Sequence, residues 1–194
     1  MHTEARGSYR PVARYAGTTS LALVAATKRA GLAVTRFVAP TNANDVVPAY
    51  LATGRYEPRA SVRTVANAMD VGHPSNFARM LWLYDGNLDA MRRDITGAAF
   101  TDDQVRETIR RVYESCGYLL DPHSAIGYMG LRDQADQAGI FLATAHPAKF
   151  SEIVEPIIGH PVTKPEALAQ ALGRPRHIIR IDAAVDAVKA VLRD

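Results

Sequence analysis

Short β-prone runs alternate with longer helical stretches along this chain, and that alternation narrows its fold more than any other feature. Residues 33–39 are β-prone and bounded by Gly31 and Pro40, and residues 139–143 form a second short apolar run. Helical pattern or composition covers 18–30, stopped by Gly31, and 45–53, closed by Gly54. It resumes after Ser75, after Thr101, and over 125–137, 148–158, 165–172 and 183–192. Residues 117–120 read as a short strand or turn, and 177–181 as a last short strand. Short strands joined by helices make a parallel sheet covered by helices, so the expected class is α/β. Ligands in such sheets sit beyond the carboxyl ends of the strands. That rule singles out the loops at 40–46, 120–127 and 144–149.

Local signals agree with this layout. Ser75 is a candidate N-cap for a helix with Phe77, Met80, Leu81 and Tyr84 on one face. Thr101-Asp-Asp-Gln104 has the spacing of a capping box. The helix after it carries Val105, Ile109, Val112 and Tyr113 on one stripe, with Arg106, Arg110 and Glu114 off it.

Composition removes several function classes. The 194 residues are 47% hydrophobic, enough for one sizeable core and a single domain over 1–194. The net charge of +3 is scattered, so a nucleic-acid surface is not expected. The single cysteine, Cys116, allows neither an internal disulfide nor a cysteine-based zinc cluster and fits a cytoplasmic protein. The apolar stretch Leu21 to Ala26 is too short to span a bilayer, and residues 1–10 lack the features of a secretory signal, so no membrane partner is expected. His123 and His146 have no companions at ligand spacing, so no metal is expected. Nucleophile-elbow, Walker and dinucleotide-fingerprint motifs are absent from the sequence.

Five polar motifs remain, each with a structural and a functional reading. Thr144-Ala-His-Pro-Ala-Lys-Phe150 follows an apolar strand and opens a helix. Thr144 either binds a polar heterocycle or anion there or caps the turn, and His146 is open to a packed core role. Leu120-Asp-Pro-His123 places an aspartate where a cap belongs. Thr41-Asn-Ala-Asn-Asp-Val-Val-Pro48 clusters side chains that close turns by bonding to backbone. Asn67-Ala-Met-Asp-Val-Gly72 and Pro74-Ser-Asn-Phe-Ala-Arg79 lie near a helix start, where Ser75, Asn76 and Arg79 either hold a phosphate or form a capped helix with a surface arginine.

Taken in this order and spacing, the five motifs resemble threonine synthases, from about Lys28 to about Ile158 and more weakly beyond. The resemblance implies the C-terminal portion of a pyridoxal-phosphate enzyme of the tryptophan-synthase-β-like fold, fold type II. It implies the conversion of O-phosphohomoserine and water into threonine and phosphate. By motif position Thr144 is the hydroxyl that bonds the pyridine nitrogen of the cofactor, and Ser75, Asn76 and Arg79 bind substrate. Counting back from Lys28-Arg-Ala-Gly-Leu32 puts the cofactor-phosphate loop at Tyr15-Ala-Gly-Thr-Thr19, hence Gly17, Thr18 and Thr19. The family's wording there is Ser-Gly-Asn-Phe-Gly, and only one glycine and the hydroxyls match.

The family's Schiff-base lysine belongs to a segment that has no counterpart here. Lys28, Lys149, Lys164 and Lys189 are the lysines of this sequence, and none stands in that context. No catalytic residue is therefore assigned. The expectation is a chain inactive without an N-terminal, lysine-bearing half, and prone to pair with such a half or with itself. The alternative is a degenerate paralogue serving as an interaction or scaffold subunit.

Overall fold

A computed structural model describes residues 14–16, 30, 31, 34, 36–132, 139–175 and 178–192. The backbone divides into two compact units, Met1–Val162 and Thr163–Asp194, where composition alone points to one domain.

In the first unit β1 (Arg14–Ala16), β2 (Arg36–Thr41), β3 (Ile95–Ala99) and β4 (Gly139–Phe141) form one sheet in the order β3-β2-β1-β4. Every pairing is parallel: Phe37 lies opposite Ile95, and Ala16 lies opposite both Val38 and Phe141. The chain is α/β with parallel strands flanked by helices, as the alternation implies. All four carboxyl ends therefore share one edge, which is where Thr41 and the residues after Phe141 stand.

β2 is buried from Phe37 to Thr41 because helices cover both of its faces. Phe37 and Ala39 join a core with Tyr50, Leu51, Phe77, Met80 and Met91. Val38 and Pro40 point the other way and meet the helix at Gly130, where an added Cβ would come 3.0 Å from Pro40 Cβ. A second core joins Val65, Val105, Ile109, Leu120, Ile126 and Met129.

The helices follow local chemistry. α1 (Val46–Thr53) ends at Gly54, whose φ of 78° is left-handed, as its glycine stop requires. α2 (Phe77–Leu83) starts one residue later than a Ser75 cap would place it. Asn76 takes the cap position, with helical dihedrals and no side-chain cap bond, so the Ser75 cap is corrected. Phe77, Met80 and Tyr84 are buried, whereas Leu81 is exposed. After α3 (Leu88–Asp94), α4 (Asp102–Cys116) carries the expected capping box in full: Thr101 Oγ1 accepts from Gln104 N–H and Gln104 Oε1 accepts from Thr101 N–H. α5 (Pro122–Arg132) begins three residues before the expected 125, and a 3₁₀ turn, Pro147–Phe150, leads into α6 (Ser151–Ile158). Residues 117–120 and 178–181 are irregular rather than strands. The helix expected at 18–30 lies outside the described residues up to its last position.

The second unit contains α7 (Glu166–Leu172) and α8 (Val185–Val191), within the expected ranges. No helix among the described residues is long and apolar enough to cross a membrane.

Gly97 shows how closely α1 packs on the sheet. A Cβ at this position would sit 2.7 Å from Pro48 Cα, a backbone atom that cannot swing away. Gly97→Ala is expected to cost about 1–3 kcal/mol, read as a lower urea midpoint with unchanged m-value.

Candidate functional site

A cleft of about 300 Å³ opens at the carboxyl edge of β2. Its floor is Ala39, Thr41, Asn44 and Val47, one wall is Ala68, Met69 and Val71, and the opposite wall is Pro74, Ser75, Asn76 and Arg79. Three of the five motifs thus meet in one place, and each is held there by identifiable bonds.

Asn42 and Asn44 tie the Ala68 wall to the strand end. The side-chain amide of Asn42, 1% exposed, donates to Thr64 Oγ1 (2.8 Å) and Asp70 Oδ1 (2.9 Å) and reaches the Ala66 carbonyl (3.3 Å). Its Oδ1 accepts from the backbone N–H of Asn44 (2.9 Å), which closes the turn after β2. Asn44 pairs with the Val62 backbone in both directions, at 2.8 Å each. Asp70 also accepts from Thr64 N–H (3.0 Å) and Thr64 Oγ1 (2.7 Å). Asp45 is engaged by Arg59 in an ion pair. The polar run after β2 is therefore mainly a clamp, and Thr41 and Asn44 are its members that reach the cleft.

Across the cleft, Ser75 and Arg79 are exposed. The Arg79 guanidinium makes no hydrogen bond or ion pair among the described residues, so it faces the opening as an available cation. Trp82, the single tryptophan of the sequence, is 60% exposed one helical turn further along α2.

The Leu120-Asp-Pro-His123 motif stands behind the Ala68 wall. Asp121 Oδ1 accepts from the backbone N–H groups of His123 (2.9 Å) and Ser124 (3.3 Å), the cap role expected of it. Ser124 Oγ donates to Asp121 Oδ2, and His123 Nδ1 lies 3.1 Å from Asp121 Oδ1. Burial by itself would push the Asp121 carboxyl up, but the bonds from His123 and Ser124 outweigh it and hold the carboxyl below the ordinary carboxylate range. A carboxyl lowered by folding gives stability that is complete above its unfolded value, near 3.8, and is lost as pH falls through the folded value. Asp121→Asn should therefore be less stable than the parent above about pH 4, with the gap closing as pH falls further. Urea midpoints measured from pH 6 down to acid give the comparison.

Thr144 stands three residues past β4, at the same sheet edge but outside the lining of the cleft. It is exposed, and its hydroxyl makes no hydrogen bond among the described residues. The turn after it is capped by His146 instead, whose Nδ1 accepts from Ala148 N–H (3.1 Å); His146 is exposed rather than a core residue. Pro147 occupies the first turn, as its lack of N–H favours. A free hydroxyl at the carboxyl edge fits a pyridine nitrogen. Gly17, Thr18 and Thr19 lie outside the described residues. Among those described, no group of three or more metal-ligating side chains occurs.

The Ala68-Met69 wall belongs to the Asn67-to-Gly72 motif, although neither residue carries a site role by its side-chain chemistry. Its only signal is Asp70, placed to fold a short turn back on the strand end.

Residues 12–143 match the family model described as pyridoxal-phosphate dependent enzyme, and residues 124–192 match that described as threonine synthase, C-terminal. The chain is 45% identical over 144 residues to threonine synthase of Serratia marcescens, covering 73% of this chain and 33% of that one. It is 44% identical over 154 residues to that of Haemophilus influenzae, covering 78% and 35%. Among solved structures, the crystal structure of threonine synthase from Escherichia coli superposes with a TM-score of 0.82 at 35% identity, over 95% of this chain and 44% of that one. The pyridoxal-phosphate-bound threonine synthase from Brucella melitensis gives 0.84 at 28% identity, over 97% and 47%. The chain spans about a third of the length of the curated relatives it matches.

Proposed function

Since the chain belongs to the pyridoxal-phosphate dependent enzyme family and, within it, to the threonine synthases, we propose that it is the C-terminal portion, over 1–194, of an enzyme converting O-phosphohomoserine and water into threonine and phosphate. The observation that carries this reading is the available Arg79 guanidinium beside the Ser75 hydroxyl, over a cleft at the carboxyl edge of a parallel sheet.

Each residue has a distinct task in this reading. Arg79 and Ser75, with Asn76, take the phosphate of the substrate, the guanidinium supplying charge and two parallel donors. Thr41 and Asn44 line the floor, where polar groups of the substrate find partners without disturbing the clamp behind them. The cofactor, when bound, supplies an electron sink for carbanionic character at the substrate. Thr144 orients it through the pyridine nitrogen, and a neutral hydroxyl leaves that nitrogen less cationic than a carboxylate would. Gly17, Thr18 and Thr19 are assigned to the cofactor phosphate by motif position alone. No group of this chain is assigned the proton transfers, which fall to a lysine on the share of the relatives' length not spanned here. The single cysteine fits a reducing compartment, so the cytoplasm is the assigned location.

Trp82 gives a direct test of the cleft. Titration with O-phosphohomoserine should change its emission, and Arg79→Ala should weaken the response at least about tenfold, the loss of a charge-assisted contact. An unaltered affinity in Arg79→Ala would remove the phosphate assignment.

A further inference from the structure

We infer that His123 is a positioning residue for the cleft, holding the Ala68-Met69 wall in place through its Nε2; the inference rests on reading the cleft as the substrate site. Ala68 lies in the first turn of the short 3₁₀ helix Asn67–Met69, so its N–H has no acceptor within that helix. Met69 N–H and Asp70 N–H do have local acceptors, the carbonyls of Ala66 and Asn67. The orphan donor is taken up by His123 Nε2 at 3.1 Å, from a helix start far along the chain.

The two contacts of the ring fix its tautomer. A nitrogen that accepts from Ala68 N–H carries no hydrogen, so Nε2 is bare and the ring proton is on Nδ1. There it donates to Asp121 Oδ1 at 3.1 Å. Asp121 is held in turn by Ser124 and by two backbone N–H groups, so it orients the imidazole from a fixed base. The Phe150 ring lies 4.9 Å from the imidazole, and the His123 side chain is only 12% exposed. His123 thereby joins three motifs at once: its own, the Thr144-to-Phe150 turn and the cleft wall. The Asn42–Asp70 cluster anchors one side of that wall, and His123 anchors the other.

Two substitutions separate the two ring nitrogens. His123→Gln sets an acceptor near the Nε2 position, whereas His123→Asn keeps a donor near Nδ1 and removes the acceptor. The Ala68 amide should exchange with solvent about tenfold faster in His123→Asn than in the full-length parent, and near the parental rate in His123→Gln. Affinity for inorganic phosphate, read by Trp82 emission, should follow the same order while the urea midpoint of His123→Gln stays close to that of the parent. Ala68 exchange as fast in the parent as in His123→Asn overturns the inference whether or not phosphate binds. Equal phosphate affinity in the parent and His123→Asn, with Ala68 exchange changed, overturns it as well. A parent that fails to bind phosphate, with the exchange pattern as expected, overturns the substrate-site reading and with it the positioning role, leaving only the cap.

Discussion

Incubated with pyridoxal phosphate and O-phosphohomoserine, the isolated chain should release no phosphate above buffer. The family chemistry needs a lysine that both holds the cofactor and moves protons. Lys149 is exposed on the turn Pro147–Phe150 and does not line the cleft, and Lys164 and Lys189 belong to the second unit. Lys28, outside the described residues, falls in the Lys28-Arg-Ala-Gly-Leu32 run rather than in the lysine's context. Co-expression with the N-terminal share of a related threonine synthase should raise phosphate release by at least about a thousandfold, the scale of a positioned acid–base group added to a covalent anchor. Thr144→Leu should abolish most of the gain, because an apolar side chain leaves the pyridine nitrogen without its partner. Turnover by the isolated chain would refute the assignment. Stable association with the added share but no turnover would favour the scaffold alternative.

The second large effect is expected at Asn42, which has nothing to do with chemistry on the substrate. Asn42→Ala removes the shared partner of Thr64, Asp70, Asn44 and Ala66, in a place where water does not reach. Buried groups left unsatisfied cost about 1–3 kcal/mol each, so a loss of about 2–4 kcal/mol is expected. Asn42→Asp keeps the shape but sets a second carboxylate against Asp70. Its penalty should be larger at pH 7 than near pH 4, where one carboxyl takes up a proton. Urea unfolding at the two pH values distinguishes the variants. Equal stability of Asn42→Asp at both would show that the pair does not repel as the geometry implies.

Much of this architecture is legible in the residues, for reasons that are local. The Thr101–Gln104 box and the Gly54 stop are written in side chains that act within one turn, and both form as read. β3 is hidden because Ile95-Thr-Gly-Ala-Ala99 has weak strand propensity. It is a strand through its ladder with β2 and through the close approach of Pro48 to Gly97. The Ser75 cap fails because capping depends on where the chain turns, and the helix starts beyond Asn76. At the site, Ser75, Asn76 and Arg79, neighbours in sequence, line one wall of the cleft. The opposite wall is set by the His123–Ala68 and Asp70–Asn42 contacts, between residues 55 and 28 positions apart, and no periodicity announces such contacts.

The strand order also imposes a sequence of events on the chain as it emerges from the ribosome. The residues that line the cleft and the β2–β3 ladder have all been made by Ala99, whereas His123, which holds one wall, follows later. β1 can take its outer neighbour only after Phe141 has been made. Loop closure over that span is slow compared with pairing inside the β2–β3 half. A nascent chain therefore supplies the lining of the pocket first, His123 behind its wall next and the Thr144 hydroxyl last, with one side of β1 open during the interval. An open side of that kind is where nascent chains pair with each other, so heavier polysome loading should raise the insoluble fraction of this protein.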